Sequence, residues 1–237
     1  MRHVIIDTDI GTDVDDLLAL VFIAKAPELC LEGITTVHGD TLLRAKIARI
    51  ACQRIGIPEL PIAPGTSETL SGHQISWAGH EGDGISGLDS APVDRNDSAQ
   101  QFLLDQSEKY SGELEILAIG PLTNLAKAVI CCPDFKSHVK RLYLMGGAYW
   151  LDYSEHDIET DVLAAKIVFE SGMPITAIGL DVTLRVWLTE REVEQLRHLP
   201  NGLGPLLEGA NQTMVEVFGT EPEQPARSIS GIRDGTA

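Results

Sequence analysis

Five aspartates fall within ten residues near the start of the chain, in Asp7-Thr8-Asp9-Ile10-Gly11-Thr12-Asp13-Val14-Asp15-Asp16, and no Lys or Arg follows until Lys25. Two unit charges about 4 Å apart repel by about 1 kcal/mol in bulk water, and several times more where the effective dielectric falls to about 20. Such a cluster calls for a cation. Carboxylate oxygens are hard donors and the stretch holds no His or Cys, so the chemistry suits calcium or magnesium rather than zinc. The competing reading is an acidic helix start, because the amino end of a helix favours negative charge. Capping needs one or two carboxylates, however, and leaves Asp7 and Asp9 unexplained.

The elements around the cluster explain how it would be held. His3-Val4-Ile5-Ile6 before it reads as a short strand, and the apolar run Leu17 to Ala24 after it reads as a buried helix. The acids therefore sit on a strand-to-helix turn. Farther on, Cys30 to Val37 reads as a strand ending in His38-Gly39-Asp40, and Thr41 to Ile55 takes helical spacing. Leu60 to Ala63 reads as a short strand among prolines. Residues Gly65 to Asp94 form a long polar, Gly-rich loop, a length that is usually functional or disordered.

The alternation then continues. A helix is expected from Asp97-Ser98 to about Tyr110, then a strand over Leu114 to Ile119, and a helix from Pro121 to about Cys132. Arg141 to Met145 reads as a strand, Tyr149 to Thr160 as a polar loop, and Asp161 as the cap of a helix to Ser171. Ile175 to Leu180 reads as a strand ending at Asp181. Helices are expected over Glu190 to His198 and Leu203 to Phe218. This pattern predicts a single α/β domain over residues 1–218, with a largely parallel open sheet flanked by helices, a helical carboxyl-terminal part, and a loop or disordered tail over 219–237. Ligands of such sheets collect beyond the carboxyl ends of the strands, where Asp7, Asp9, Asp40, Asp181 and the Ile119-Gly120 turn all fall.

Composition narrows the partners. A formal charge of -17 argues against nucleic acid and anionic membrane surfaces, both of which are bound through an excess of Lys and Arg. The four cysteines, Cys30, Cys52, Cys131 and Cys132, read as reduced core residues. The start of the chain lacks the apolar run of a signal peptide, and no apolar stretch is long enough to span a bilayer, so a cytoplasmic protein is expected.

With these residues in view, the chain resembles the inosine-uridine preferring nucleoside hydrolases. The resemblance rests on the opening Asp-x-Asp-x-Gly followed by Asp15-Asp16. It continues through Gly33 to Asp40, Ala78-Gly79-His80, Ala118 to Asn124, Leu144 to Gly147, Glu155-His156-Asp157 and Gly179-Leu180-Asp181, in order along nearly the whole chain. It implies calcium-dependent hydrolysis of the N-glycosidic bond of a ribonucleoside, releasing free base and ribose, in a dimer or tetramer. Asp9 would be a calcium ligand and the base that deprotonates water. Asp16 would be a second ligand, Ile119 would offer its backbone carbonyl, and Asp7 would support the site. Asp15, Asp40, Met145, Glu155 and Asp157 would contact the nucleoside, and His80 would serve the leaving base.

Asp40 and Asp157 stand where the family often has Asn, and a carboxylate cannot donate a hydrogen bond to a sugar oxygen. The family's closing metal ligand, an Asp in a His-Asp-Pro-like motif, has no counterpart among these residues. Asp234 falls in the corresponding region but reads as part of a turn. Two alternatives follow: a shortened relative that binds nucleoside or ribose without turnover, and a haloacid-dehalogenase-like phosphohydrolase with Asp7 as nucleophile. The second leaves Asp15-Asp16 without a role.

Overall fold

The strand Arg2–Thr8 (β1) is apolar along its middle because it lies at the centre of a parallel sheet with both faces covered. Val4 and Ile6 pack on one face, Ile5 on the other. These relations come from a computed structural model that describes residues 1–73, 79–93, 98–186 and 188–209.

In chain order, β1 leads to helix α1 (Asp15–Lys25), strand β2 (Leu29–Thr36), helix α2 (Thr41–Ile55) and strand β3 (Ile62–Pro64). A 3-10 turn at Leu88–Ser90 precedes helix α3 (Ala99–Lys109), strand β4 (Leu114–Ile119), helix α4 (Thr123–Cys131), the short helix α5 (Phe135–His138) and strand β5 (Val139–Met145). Then come α6 (His156–Thr160), α7 (Val162–Glu170), β6 (Ile175–Ile178), α8 (Leu180–Thr183) and α9 (Glu190–Arg197). Residues 203–209 are helical.

The strands form one six-stranded sheet in the order β3-β2-β1-β4-β5-β6, with every pairing parallel. The chain winds outward from β1 to β3, then crosses back to place β4 on the other side of β1. The order reverses between β1 and β4, where an open α/β sheet leaves a crevice at its carboxyl edge. Side chains of α1 and α2, joined by Leu203, Leu206 and Leu207, fill one layer of core. Leu103, Leu125, Ala126, Ala164 and Val168, from α3, α4 and α7, fill the other.

The predicted fold class is therefore the observed one, with local corrections. Residues 149–160 are not all loop, since Glu155 caps α6 by accepting from the N–H groups of Asp157 and Ile158. Strand β6 stops at Ile178, and Asp181 lies in the helical turn α8, because Leu180 N–H bonds to Gly147 O at 2.9 Å and turns the chain there. Cys52 is buried, but Cys131 is exposed, so the four cysteines are not uniformly core residues. Trp77, Ala78, Asp97, the end of the helix expected to reach Phe218, the tail over 219–237 and Asp234 lie outside the described residues. No helix among the described residues is long and apolar enough to cross a membrane.

Candidate active site

The acidic turn follows β1 directly and is fastened from below. Thr8 Oγ1 accepts from Ile10 N–H at 3.0 Å and donates to Asp16 Oδ1, so one hydroxyl joins the strand end to the first turn of α1. Gly11, at φ +111°, makes the reversal that L side chains rarely adopt. Helix α1 has Val14 at its N-cap with no side-chain cap, so the five aspartates do not serve as caps.

Arg44 of α2 holds the turn from the side. Its guanidinium is fully buried and donates to the carbonyls of Asp9, Ile10 (3.1 Å) and His38 (2.7 Å) and to Thr12 Oγ1 (2.9 Å). It also pairs with Glu81 at 3.2 Å. Glu81 in turn accepts from Gly79 N–H at 2.8 Å, which draws the loop carrying His80 against the turn.

Burial and mutual repulsion dominate the electrostatics. Asp7 is fully buried, and desolvation pushes its carboxyl up to about 7 despite hydrogen bonds to Oδ1 from Thr35 (2.5 Å) and Asn124 (2.8 Å). Desolvation, then the charge of Asp9, raises Asp15 to about 6. Asp16 is raised well above the carboxylate range by desolvation, then by Asp9 and Asp15. Asp13 rises for the same first reason, followed by Asp15 and Asp9. Asp157, arriving from α6, is raised by desolvation and then by Asp9, Glu155, Asp16 and Asp15, which places it in the same field.

Buried carboxylate oxygens without a hydrogen-bond partner remain at Asp7 Oδ2, Asp13 Oδ1 and Asp15 Oδ1. By chemistry these oxygen donors, with raised pKa values and unsatisfied oxygens, suit a hard divalent cation, although the described carboxylates of the turn do not bring three oxygens within 4.8 Å of one another. The neighbouring wall fits as well. Thr8 pairs with Ile119 across the switch point, and a Cβ at Gly120 would lie 2.8 Å from both Asp9 N and Asp9 Oδ1. Only glycine lets β4 end this close to Asp9, beside the Ile119 carbonyl.

The structure thus gathers Asp9, Asp15, Asp16, Asp157 and the Ile119-Gly120 turn at one crevice, with Asp7 beneath it and half-buried Met145 at the end of β5. Two expected sugar contacts are placed otherwise. Asp40 is exposed and caps α2, accepting from Leu43 N–H at 2.9 Å. Glu155 spends both oxygens on backbone, Oε1 on Asp157 N–H and Oε2 on the N–H groups of Gly147 and Ile158. At a strand end an acid serves a cap as readily as a ligand. His80 is half-buried on the loop held by Glu81.

Three residues of the site carried no role from sequence alone. Asn124 braces Asp7 and the Thr36 carbonyl, Arg44 organises the turn, and His38 is buried at φ +64° with its pKa lowered by desolvation. Asn124 lies in a Gly-Pro-Leu-Thr-Asn run that marked it, whereas Arg44 looked like any charged residue on an amphipathic helix.

A doubly wound parallel sheet with buried carboxylates at its switch point defines an α/β protein whose crevice suits a small ligand. Within that class the chain belongs to the inosine-uridine preferring nucleoside hydrolase family, whose model matches residues 4–231. It is 38% identical over 210 residues to a probable uridine nucleosidase 2 of Oryza sativa subsp. japonica, covering 83% of this chain and 62% of the relative. A solved plant nucleoside hydrolase, PpNRh1, superposes with a TM-score of 0.77 at 30% identity, covering 92% of this chain and 73% of that one. A purine-preferring ribonucleoside hydrolase from Gardnerella vaginalis gives 0.78 at 27% identity, covering 97% and 77%. The chain spans about six-tenths of the length of the curated relatives it matches first.

Membership does not favour the phosphohydrolase alternative, and the geometry agrees. Asp7, the nucleophile of that reading, is fully buried and braced by Thr35 and Asn124.

Proposed function

We propose that this chain carries the cation and sugar site of a ribonucleoside hydrolase that cleaves the N-glycosidic bond with calcium as its ion. The observation that carries the reading is that Asp9, Asp15, Asp16 and Asp157 share one electrostatic field at the β1/β4 switch point, beside buried oxygens of Asp7, Asp13 and Asp15 that have no hydrogen-bond partner. Asp9 and Asp16, with the Ile119 carbonyl, would hold the ion. When bound there, calcium supplies charge compensation and makes water easier to deprotonate.

The chain's own groups do the rest. Asp9 takes the proton of the attacking water, and Asp15, whose Oδ1 has no hydrogen-bond partner, accepts from a ribose hydroxyl. The carboxylates stabilise the positive charge that an oxocarbenium-like sugar develops as the base departs. Asp7 supports the seat from beneath, and Asn124 and Thr35 keep it in place. His80, on the loop drawn in by Glu81, serves the leaving base. Asp157 enters as a further carboxylate of the site.

Uridine is the first substrate to assay, since a relative at 38% identity is named for it, with inosine beside it. Release of free base is expected in calcium and its loss in a chelator, and Asp9→Asn should abolish both turnover and calcium binding. Turnover unchanged by that substitution, or by chelation, overturns the proposal. Calcium and nucleoside binding without any release of base would instead favour the non-catalytic relative.

A further inference from the structure

At the opposite edge of the sheet, three different donor types meet. His3 on β1 is in register with Cys30 on β2, so their side chains leave the sheet on one side. The register then slips, Val4 facing Leu31 and Ile5 facing Gly33, which leaves Glu32 as an extra residue in a β-bulge. Bulges re-aim side chains. Here the result is that ligand-capable atoms of His3, Cys30 and Glu32 all lie within 4.8 Å of one another, half-buried.

The surroundings hold them in that arrangement. Glu32 Oε2 accepts from Tyr110 Oη at 2.7 Å, leaving Oε1 to face His3 Nδ1 at 2.8 Å. The Tyr110 ring stacks on the imidazole, with centroids 4.1 Å apart and planes 16° apart, and fixes its plane. Partners that orient metal-binding side chains are what a working metal site needs beyond its ligands.

We infer that His3, Cys30 and Glu32 form a second metal site, selective for a borderline-soft divalent ion such as zinc and open at its fourth position. Nitrogen, thiolate and carboxylate ligands together suit tetrahedral zinc, and not the hard ion of the acidic turn. A small rotation of each side chain brings the donors to about 2.0–2.3 Å from a common centre. On binding, the Cys30 thiol loses its proton to solvent, and the ion replaces the hydrogen bond between His3 Nδ1 and Glu32 as the imidazole proton moves by way of solvent to Nε2. His3 and Asp9 lie six residues apart along one extended segment, roughly 20 Å, so the two sites fill independently.

Cobalt(II) is the probe, added to protein carrying no affinity tag and in excess calcium to occupy the acidic turn. A near-ultraviolet thiolate-to-cobalt charge-transfer band is expected, displaced by zinc. It should vanish in Cys30→Ser, weaken or shift in His3→Gln, and persist in the Cys131→Ser/Cys132→Ser double variant. No band in the unaltered protein overturns the site, as does a band that survives Cys30→Ser, ignores His3→Gln or disappears with Cys131 and Cys132. Should Cys30→Ser fail to fold, judged by circular dichroism, the His3→Gln result at the chain's start decides alone.

Discussion

Replacing Asp7 by Asn isolates the cost of a buried charge beneath the site. The native carboxyl is fully buried and titrates at about 7, against an ordinary 3.8, chiefly through desolvation. Between those values the unfolded chain has released this proton and the folded one keeps it, so stability falls as pH rises and levels off above about 7. From pH 5 to pH 8 the part of that window crossed is about two units, worth about 1.4 kcal/mol each, or about 3 kcal/mol. Asp7→Asn keeps an acceptor for Thr35 and Asn124 but does not titrate. It places an amide N–H where Oδ2 has no partner, a pH-independent cost on the order of 1–3 kcal/mol. Urea unfolding of both proteins in a chelator, followed by circular dichroism at pH 5 and pH 8, should show the native protein losing about 3 kcal/mol more than the variant. Equal losses would mean that Asp7 is not a desolvated carboxyl, and the account of the site's electrostatics would fail with it.

Arg44→Met should lower stability by about 3–5 kcal/mol in the same assay, because it strands Glu81 as an unpaired buried charge and leaves the carbonyls of Asp9 and His38 without their donor. A loss below 1 kcal/mol would contradict this. Gly120→Ala puts a methyl 2.8 Å from Asp9 Oδ1 and should cut turnover of uridine roughly a hundredfold by displacing the proposed base; unaltered kcat and KM would show that β4 does not position Asp9.

Much of the fold was open to reading from sequence because the central strands β1 and β4 are largely apolar and helices α1, α2 and α4 each follow a strand end, as a sheet covered on both faces requires. The acidic turn was legible for a similar reason, its five carboxylates falling within ten residues. What escaped depends on long-range partners. Nothing local distinguishes Arg44 from Arg49, although the first is buried against the turn and the second donates to the carbonyls of Pro58 and Pro92 at the surface. Asp40 and Glu155 carried the right chemistry at the right edge, but backbone N–H groups of Leu43, Asp157 and Gly147 claim them first. Asp161 was expected only to cap a helix, yet its carboxylate also accepts from Thr123 Oγ1 and from Leu70 and Ser71, tying the long loop to α4. His38 gave no sign of its left-handed backbone, a conformation that non-glycine residues seldom take.

The shared guanidinium of Arg44 also limits how the protein can be re-engineered. Exchanging residues 79–85 for a segment from another relative removes the carboxylate that answers Arg44 unless Glu81 travels with the graft. A donor segment lacking an acid there would leave a cation stranded in the interior, and the penalty would be felt at Asp9, on the far side of the same side chain. Loop swaps that retain Glu81 therefore keep Arg44 answered and the acidic turn held while the rest of the loop is rebuilt.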